Sequence, residues 1–446
     1  MNANERDFIF RTIESRDVHF VRFWFTDIFG ILKQIAVIPS ELECAFEEGM
    51  GFDGSGVAGF SAGDTCEMLA FPDPSTFQIL PWRPQTNAVA RMFCDICTPE
   101  LDPSEADSRS ILRRVVNKAA SLGYVMNVGP ELEYYCFKDD LSPEPLDRGS
   151  YYDCATMAGA ADLRRDTIIT LEKMGIPVEF SHHEGGPSQY EIDLRYADAM
   201  TMADNMMTYK MVVKSVAQNH HVYASFMPQP LVGQPGNGMH IHLSLSDLNG
   251  NNLFYDEADN SGYRLSDLAR FFLAGVLKFA PEFCLITNPV TNSYKRLSNQ
   301  YRAARHIAWA HSSRTSLIRI PAYKPHKKGS CRIEVRNPDA SANPYLTLAC
   351  LLKAGLYGIE NRLEAPSPVE LENLTEASRV ELRNRNIQSL PETLGEAIDA
   401  FESSAFMKEL LGSRTHSFMV TAKRKEWLSY MHEVSQWELN QYLSVL

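Results

Sequence analysis

Apolar and polar side chains alternate in short runs along the first hundred residues, and this alternation predicts strands. Residues Val18–Asp27 alternate and end in a turn at Asp27–Gly30, and Ile31–Pro39 continue as a second, largely apolar strand. Successive side chains of a strand point to opposite faces, so each run has one face suited to a core. Ser40 is then expected to cap a short helix that runs through Phe46.

Beyond residue 107 the apolar period lengthens to that of helices. Ser108 opens a helix that is expected to end at Gly123, and further helices are predicted near 161–174, 196–219, 266–280 and 344–362. Asn343 and Pro344 are suited to the N-cap and first position of the last of these helices. The methionine-rich stripe of the 196–219 helix is expected to fill core space. The proline- and acid-rich segment 102–107 predicts a boundary between a domain of residues 1–103 and one of residues 104–446.

Four segments place acidic and imidazole side chains where a strand would direct them into one space. Glu131 and Glu133 alternate with apolar residues, as do His240 and His242. The other two segments are His182-His183-Glu184 through Glu191, which encloses a Gly-Gly-Pro turn, and Glu334 between Arg332 and Arg336. Any single pair is better explained as a solvated outer face, but four segments of the same composition favour one shared site. Carboxylates with few nitrogens suit Mg²⁺ or Mn²⁺, and those ions suit phosphate chemistry.

Composition and charge narrow the class of protein. A formal charge of −13 over 446 residues provides no basic surface for nucleic acid or an anionic membrane. No apolar run approaches the ~20 residues of a spanning helix, and the charged stretch Met1–Arg16 does not resemble a signal peptide. Nine scattered cysteines are typical of reduced thiols, and the Cys94–Cys97 pair lacks the second pair that a zinc site would need. These features predict a cytoplasmic enzyme.

Positive charge is concentrated late in the chain, although no phosphate-binding P-loop sequence is present. The basic positions are Lys295, Arg296, Arg314, Arg319, Lys324 to Lys328, Arg332 and Arg336. Guanidinium groups near divalent cations are what the transfer of a phosphoryl group requires. The segment Gly59–Gly63 matches the nucleophile elbow of serine hydrolases, but the strand and helix that should flank it are not evident, so that alternative is weak.

Taken in order, these motifs resemble type I glutamine synthetases, and the resemblance extends from about Phe20 to Leu446. The segments that carry it are Gly51-Phe-Asp-Gly-Ser55, Pro72-Asp-Pro-Ser75, Pro130-Glu-Leu-Glu133, His182-His-Glu184, Gly238-Met-His-Ile-His242, Asn292-Ser-Tyr-Lys-Arg296, Ile318-Arg-Ile-Pro321 and Arg332-Ile-Glu-Val-Arg336. The resemblance implies an α+β fold, with a small N-terminal β-grasp-like domain. It also implies a large C-terminal catalytic domain on a curved antiparallel sheet with flanking helices, holding the ATP, metal and glutamate sites.

The resemblance also assigns roles to individual positions. It implies two or three Mg²⁺ (or Mn²⁺) ions per active site, one held near the nucleotide by Glu131, His240 and Glu334 and one near the amino acid by Glu133, Glu184 and Glu191. Substrate-binding positions are Arg296, Gly236, Arg336 and Tyr151. Phosphate and nucleotide contacts are assigned to Arg314, Arg319, Arg332, His242 and Ser244. Asp53 matches the aspartate that reaches into a neighbouring subunit and deprotonates ammonium.

The activity implied by the resemblance has two steps. ATP phosphorylates the γ-carboxylate of glutamate, and ammonia or another amine then displaces the phosphate. The expected assembly is a dodecamer of two stacked hexameric rings, with the apolar tail Ser435–Leu446 clasping the opposite ring. Two other classes stay open: a non-catalytic regulatory or structural homologue, and a kinase that stops at the acyl phosphate.

The chain departs from the family pattern around the nucleophile. Arg302 stands where the family carries the glutamate of a flap over the intermediate, and Ala304 replaces the flap proline. Gly56 replaces a serine and Pro235 an asparagine. Arg302 beside the nucleophile's entrance predicts a γ-glutamyl-amide ligase that excludes ammonia and takes a larger, possibly acidic amine. A displaced loop would instead leave ordinary glutamine synthesis. Thr375 replaces the tyrosine that the family adenylylates, so that control is not expected.

Overall fold

The computed structural model describes residues 3–60, 66–83, 86–154, 158–298, 303–324, 326–370, 374, 377 and 379–446. Within these residues, two sheets organise the chain. The smaller sheet contains β1 Val18–Thr26, β2 Leu32–Val37, β3 Met50–Asp53, β4 Glu67–Pro72, β5 Gln78–Ile79 and β6 Ala88–Cys97, with helices α1 Ala3–Ser15 and α2 Leu42–Glu48. The strand order is β2-β1-β6-β4-β3, with β5 beside β6. Only the β1–β6 pair among these strands is parallel.

The larger sheet carries all four segments of acidic and imidazole side chains. Its strands are β7 Val125–Phe137, β8 Val178–His183, β9 Gln189–Leu194, β10 Ala197–Asp198, β11 Tyr223–Ser225, β12 Met239–Ser246, β13 His306–Ala310, β14 Ser316–Arg319 and β15 Ile333–Val335. The order is β13-β14-β15-β12-β7-β9-β8, with β10 and β11 also paired to β7. Apart from the parallel β13–β14 pair, the described neighbours run antiparallel, so the predicted α+β class with a mainly antiparallel catalytic sheet is confirmed.

The helices after residue 107 are α3 Ser108–Ser121, α4 Ala158–Lys173, α5 Ala199–Asn219, α6 Asp267–Thr287, α7 Thr291–Leu297, α8 Pro344–Glu360, α9 Arg379–Asn384, α10 Leu394–Glu402, α11 Ala405–Leu411, α12 Ser413–Met431 and α13 Gln436–Tyr442. Of these, α3, α4, α5 and α6 pack on the large sheet. Strand side chains that alternate with the acidic and imidazole residues, such as Leu132, Ile192 and Ile241, form the core with them. As predicted, the Asn343 side chain accepts bonds from the first turn of α8, and Pro344 occupies its first position. In the described residues, no helix is both long enough and apolar enough to cross a membrane.

One helix start differs from the sequence-based prediction and another agrees with it. Ser40 lies in a short 3₁₀ turn, Pro39–Glu41, and α2 begins only at Leu42 without a side-chain cap. Helix α3 begins at Ser108, as predicted, and its N-cap is Asp107, whose carboxylate accepts bonds from the backbone N–H groups of Arg109 and Ser110. The aspartate thus satisfies donors of the first turn that have no partner within the helix.

The hydrophobic core is densest between α6, α8 and the large sheet. Gly275 allows α6 and α8 to approach closely, because a Cβ atom there would lie 2.1 Å from the Ala354 carbonyl oxygen. Met202, Met206 and Met207 of α5 are buried in the same core, which confirms the prediction that the methionine stripe fills core space. Strong packing behind the sheet fixes the positions of the side chains on its other face.

A buried arginine, Arg109, connects the small sheet to the helices that pack on the large sheet. Arg109 of α3 donates to Asp204 of α5 from Nε (3.1 Å) and Nη2 (2.9 Å). It also donates to Asp95 of β6 (2.6 Å) and to Asp73 beside β4 (2.7 Å). The guanidinium group therefore bridges carboxylates of the small sheet and of helix α5. The Arg109 side chain is only 4% exposed. Such a bridge fixes how the two parts of the chain sit on each other.

Candidate active site

A cavity of about 730 Å³ opens on the face of the large sheet opposite the helical core. The strand register explains why acidic side chains meet there: His240 lies opposite Glu131, and Glu133 lies opposite Glu191. Directly opposed residues share a face of the sheet. The predicted site residues that line the cavity are Glu131, Glu133, Tyr151, Glu184, Glu191, Gly236, His240, Arg296, Arg314, Arg319, Glu334 and Arg336.

The first acidic cluster consists of Glu131, His242 and Glu334, whose ligand atoms all lie within 4.8 Å of one another. Glu131 Oε1 lies 2.6 Å from His242 Nε2, and its Oε2 lies 3.0 Å from His240 Nδ1. Burial opposes ionisation of Glu131, but the two histidines hold the pKa of its carboxyl well below the usual range. Sequence reasoning placed His242 on the nucleotide wall, whereas its Nε2 also reaches this cluster.

Glu334 completes the first cluster and is paired with two arginines. It accepts a 2.9 Å bond from Arg319 Nη1 and another from Arg336. Burial would raise the pKa of the Glu334 carboxyl, but Arg336 and the neighbouring histidines lower it to about 2. A carboxylate that is ionised in a buried setting is ready to bind a cation without first losing a proton.

The second cluster consists of His182, Glu184 and Glu191, again with ligand atoms within 4.8 Å of one another. Glu133 lies beside it, and its Oε2 accepts a 2.6 Å bond from the Gly238 backbone N–H. Burial and the charge of Glu184 raise the pKa of Glu133 to about 8, and burial with the charge of Asp193 raises the pKa of Glu191 well above its usual value. Protonation relieves the repulsion among these carboxyl groups, and a bound cation would relieve it in place of the protons.

The two clusters fit divalent cations of the magnesium class. Carboxylate oxygens dominate both donor sets, and each set includes an imidazole nitrogen, a combination that Mg²⁺ and Mn²⁺ accept. Asp193 lies on β9 two residues after Glu191. Within the described residues, its buried Oδ1 atom has no hydrogen-bond partner. A buried carboxylate oxygen without a donor indicates a site that expects additional positive charge.

The residues assigned to the amino acid substrate surround Gly236. Arg296 is buried and donates from Nη1 to the Asn337 carbonyl (2.8 Å) and from Nη2 to the Arg336 carbonyl (3.3 Å), so part of its donor capacity holds the backbone. A Cβ atom at Gly236 would lie 2.5 Å from the Pro228 carbonyl oxygen and 2.8 Å from Arg296 Cγ. Glycine is therefore required where this loop passes over the arginine.

The residues assigned to ATP extend the site along β12 and β15. Arg332 Nε donates a 3.0 Å bond to His242 Nδ1, and Ser244 lies one side-chain repeat further along the strand. Neither Ser244 nor Arg332 lines the cavity itself, whereas Arg314 and Arg319 do. Arg314 and Arg319 thus lie at the cavity, whereas Arg332 reaches the first acidic cluster from outside it, through His242.

Some predicted site residues do not line the cavity or lie outside the described residues. Asp53 is exposed at the end of β3 in the small sheet, where its Oδ1 accepts a 2.8 Å bond from the Ser55 backbone N–H. It does not line the cavity of its own chain. Arg302, Gly63 of the elbow-like segment and Thr375 lie outside the described residues. Of the departures around the nucleophile, Pro235 lines the cavity, whereas Gly56 and Ala304 do not; Ala303, the residue next to Arg302, lines it as well.

Sequence reasoning assigned Tyr151 to the substrate site but missed the two other aromatic residues of the cavity lining, Tyr152 and Phe180. Tyr152 and Phe180 line the cavity together with Tyr151 and His182. The alternation Phe180-Ser-His182-His-Glu184 along β8 was the available signal, because residues two apart on a strand share a face. Gln189, whose Nε2 donates to the Gly236 carbonyl at 3.1 Å, was also missed; its place on β9 two residues before Glu191 was the corresponding signal.

Comparisons with known proteins agree with this geometry. A family model described as "Glutamine synthetase, catalytic domain" matches residues 105–442, and one described as "Glutamine synthetase, beta-Grasp domain" matches residues 17–99. A protein of Mycolicibacterium smegmatis named glutamine synthetase is 46% identical, with 99% of each chain covered. One of Methanosarcina mazei with the same name is 45% identical and covers 98% of this chain and 97% of its own. A solved structure titled as a GmaS/ADP complex superposes with a TM-score of 0.87 at 29% identity, covering 97% of this chain and 99% of that one.

Proposed function

The chain belongs to the glutamine synthetase family, and on that premise we propose that it is an ATP-dependent ligase joining the γ-carboxylate of glutamate to ammonia. The observation that carries the proposal is the convergence of two acidic clusters and four arginines on one cavity. Carboxylates that hold cations, next to guanidinium groups that hold phosphate, are the combination that phosphoryl transfer to a carboxylate needs. The same residues would have no common purpose in a non-catalytic homologue.

In the first step, the cavity orients glutamate and the terminal phosphate of ATP toward each other. Arg336 and the backbone around Gly236 bind the amino acid, and Arg314, Arg319 and Arg332 bind phosphate oxygens. The γ-carboxylate oxygen attacks the terminal phosphorus, and ADP leaves. Orienting both reactants in one enclosed site removes much of the entropic cost of their encounter.

Divalent cations bound by the two clusters would neutralise the phosphate charge that develops in this step. Glu131, His240 and Glu334 form one group of ligands, with His242 donating to Glu131 beside them, and Glu133, His182, Glu184 and Glu191 form the other. Two clusters support at least two cations per site. The ligase class and the use of ATP with a divalent metal agree with the glutamine synthetase relatives.

In the second step, an amine attacks the γ-glutamyl phosphate and inorganic phosphate leaves. A carboxylate must first take a proton from the ammonium ion. Glu184 lies at the cavity and is available for this, and Asp53 is proposed to reach the site of a neighbouring subunit, since it is exposed and remote from its own cavity. The exposed apolar side chains of the tail, including Trp437, Leu443 and Leu446, support the proposed dodecamer of two hexameric rings.

The test is product formation by the purified protein. With ATP, Mg²⁺, glutamate and ammonium, we expect glutamine and ADP in equal amounts, with neither formed when glutamate is omitted. Arg319→Ala should reduce turnover at least about tenfold, because it removes a phosphate contact and leaves Glu334 with one arginine fewer. ADP release that does not depend on glutamate would contradict the proposal. Accumulation of acyl phosphate without amide would indicate a kinase.

A further inference from the structure

An aromatic wall, made of Tyr151, Tyr152, Phe180 and His182, forms one side of the active-site cavity. The Tyr152 ring stacks on the His182 ring with centroids 4.7 Å apart at 22°, and the Phe180 ring lies 5.8 Å away on the same histidine at 30°. Tyr151 meets Tyr152 edge-on at 4.4 Å. The wall is therefore a continuous set of packed rings.

Three rings of this wall are about half exposed. Phe180 is 47% exposed, Tyr151 45% and Tyr152 62%, although their neighbours His182 and Glu191 are buried. Apolar surface left open at the mouth of a cavity is surface that a bound molecule can cover. Ammonium is a small hydrated ion and glutamate is highly charged, so neither accounts for three half-open rings. The adenine ring of ATP is expected elsewhere, because Ser244 and Arg332, which are assigned to the nucleotide, do not line this cavity.

The wall lies directly beside Glu184, the carboxylate of this chain that is proposed to take a proton from the amine. His182 Nε2 is 2.8 Å from Glu184 Oε1 and 3.8 Å from Glu191 Oε1, and both stacked rings pack on that histidine. An amine approaching Glu184 would place its nitrogen near the carboxylate and its substituent over the rings. Organic ammonium ions are bound in this way, by charge on one side and ring faces on the other.

We propose that the aromatic wall binds the substituent of a primary organic ammonium ion, so that an alkyl or aryl amine is the preferred nucleophile of this ligase. The inference rests on the proposed function and specifies its second substrate. Phe180 is the specificity-determining residue, because it is the apolar ring of the wall and stands on the same face of β8 as His182. A carboxylate on the substituent would lie against the negative faces of the rings, so acidic amines are disfavoured.

The reaction balances with no further reactant. Glutamate, ATP and R–NH₃⁺ give γ-glutamyl–NH–R, ADP, inorganic phosphate and one proton. The ammonium ion loses one proton to a carboxylate before attack. The C–N bond then forms, the bond from the acyl carbon to the phosphate oxygen breaks, and the second nitrogen proton is lost as the amide forms.

The experiment compares kcat/KM for ammonium, n-butylamine, 1,4-diaminobutane, benzylamine and β-alanine in the full-length enzyme and in Phe180→Ala. Products are identified by mass. In the unaltered enzyme we expect the three organic ammonium ions to exceed both ammonium and β-alanine. In Phe180→Ala, the ratio of kcat/KM for benzylamine over that for ammonium should fall by about fivefold or more. Because both values come from one preparation, the ratio cancels any loss of folded enzyme.

Two further variants separate the wall from general effects. Tyr152→Phe keeps a ring and should keep the ratio, whereas Tyr152→Ala should lower it. Phe20→Ala removes a ring of the same 47% exposure from β1, away from the cavity, and should leave the ratio unchanged. The inference is overturned if kcat/KM is higher for ammonium than for every organic amine, or if Phe180→Ala does not change the ratio. Either result leaves the proposed ligase activity intact. No amide from any amine, ammonium included, contradicts the proposed function itself.

Discussion

Glu131 Oε1 and His242 Nε2 lie 2.6 Å apart, on β7 and β12 of the large sheet, and so join two side chains that are 111 residues apart in the chain. Arg332 holds the other nitrogen of the same imidazole at 3.0 Å. A guanidinium group can only donate, so the contact requires His242 Nδ1 to be the acceptor and Nε2 to carry the proton given to Glu131. The nucleotide side of the site and the first acidic cluster are therefore one hydrogen-bonded unit.

Loss of the Glu131 charge should weaken cation binding at the first cluster. Glu131→Gln keeps the side-chain size but removes the carboxylate that both histidines contact. We expect Mn²⁺ affinity, measured by calorimetric titration, to fall by at least about tenfold. Glu179→Gln removes an exposed carboxylate from β8 and serves as control. Equal affinities in the two variants would show that Glu131 holds no cation.

Gly236 should be essential for activity rather than for folding. In Gly236→Ala the new methyl group would meet the Pro228 carbonyl and Arg296, and the loop over the substrate arginine must shift. We expect KM for glutamate to rise about tenfold or more, because small displacements of binding groups are costly. Gly329→Ala, where a Cβ atom meets nothing within 4 Å, is the matched control. Equal KM values in the two variants would contradict the assignment.

Arg109 should contribute much more to stability than its neighbour Arg113, although both contact Asp73 and Asp95. Arg109 is 4% exposed and also holds the buried Asp204, whereas the Arg113 side chain is 38% exposed. Arg109→Ala leaves a buried carboxylate without its partner and should cost about 3–5 kcal/mol in the free energy of unfolding. Arg113→Ala should cost under about 1 kcal/mol. Denaturant unfolding of the two variants measures the difference, and similar losses would contradict the account.

Lys210 should make stability depend on pH. This lysine lines a second cavity, of about 450 Å³, between the β1–β2 turn and α5, and it donates 3.0 Å to the Ala342 carbonyl. Burial, with the nearby Lys214, lowers its pKa from 10.5 to about 7. Between pH 7 and pH 10.5, Lys210 is protonated in the unfolded chain but not in the folded chain. The free energy of unfolding should therefore rise from pH 7 to pH 10.5 and be lowest below pH 7.

The measurement for Lys210 is the urea midpoint between pH 6 and pH 10. Lys210→Met should be more stable than the parent at pH 6, and its advantage should shrink as the pH rises. Lys173→Met, at an exposed position of α4, should follow the parent's pH profile. Identical profiles in all three proteins would show that the Lys210 ammonium is solvated.

Much of this site could be predicted from the sequence because its elements are strands. Glu131 and Glu133, and likewise His240 and His242, are two residues apart, and the period of a strand alone places each pair on one face. Contacts between distant positions have no such local signal. Nothing near Arg109 in sequence indicates Asp204, and nothing near His242 indicates that its ring would contact Glu131. The exposure of Phe180 depends on what packs around β8, which periodicity does not reveal.

The most direct test of the ligase mechanism is the fate of the γ-carboxylate oxygen. The enzyme is given glutamate labelled with ¹⁸O in that carboxylate, together with ATP, Mg²⁺ and a saturating amine, and the released phosphate is analysed by mass. Attack of the carboxylate on ATP predicts that one labelled oxygen enters each phosphate formed with the amide. Phosphate free of label would mean that ATP is hydrolysed by water. That result would contradict the proposal that Glu131, Glu334 and the neighbouring arginines direct ATP to the γ-carboxylate of glutamate.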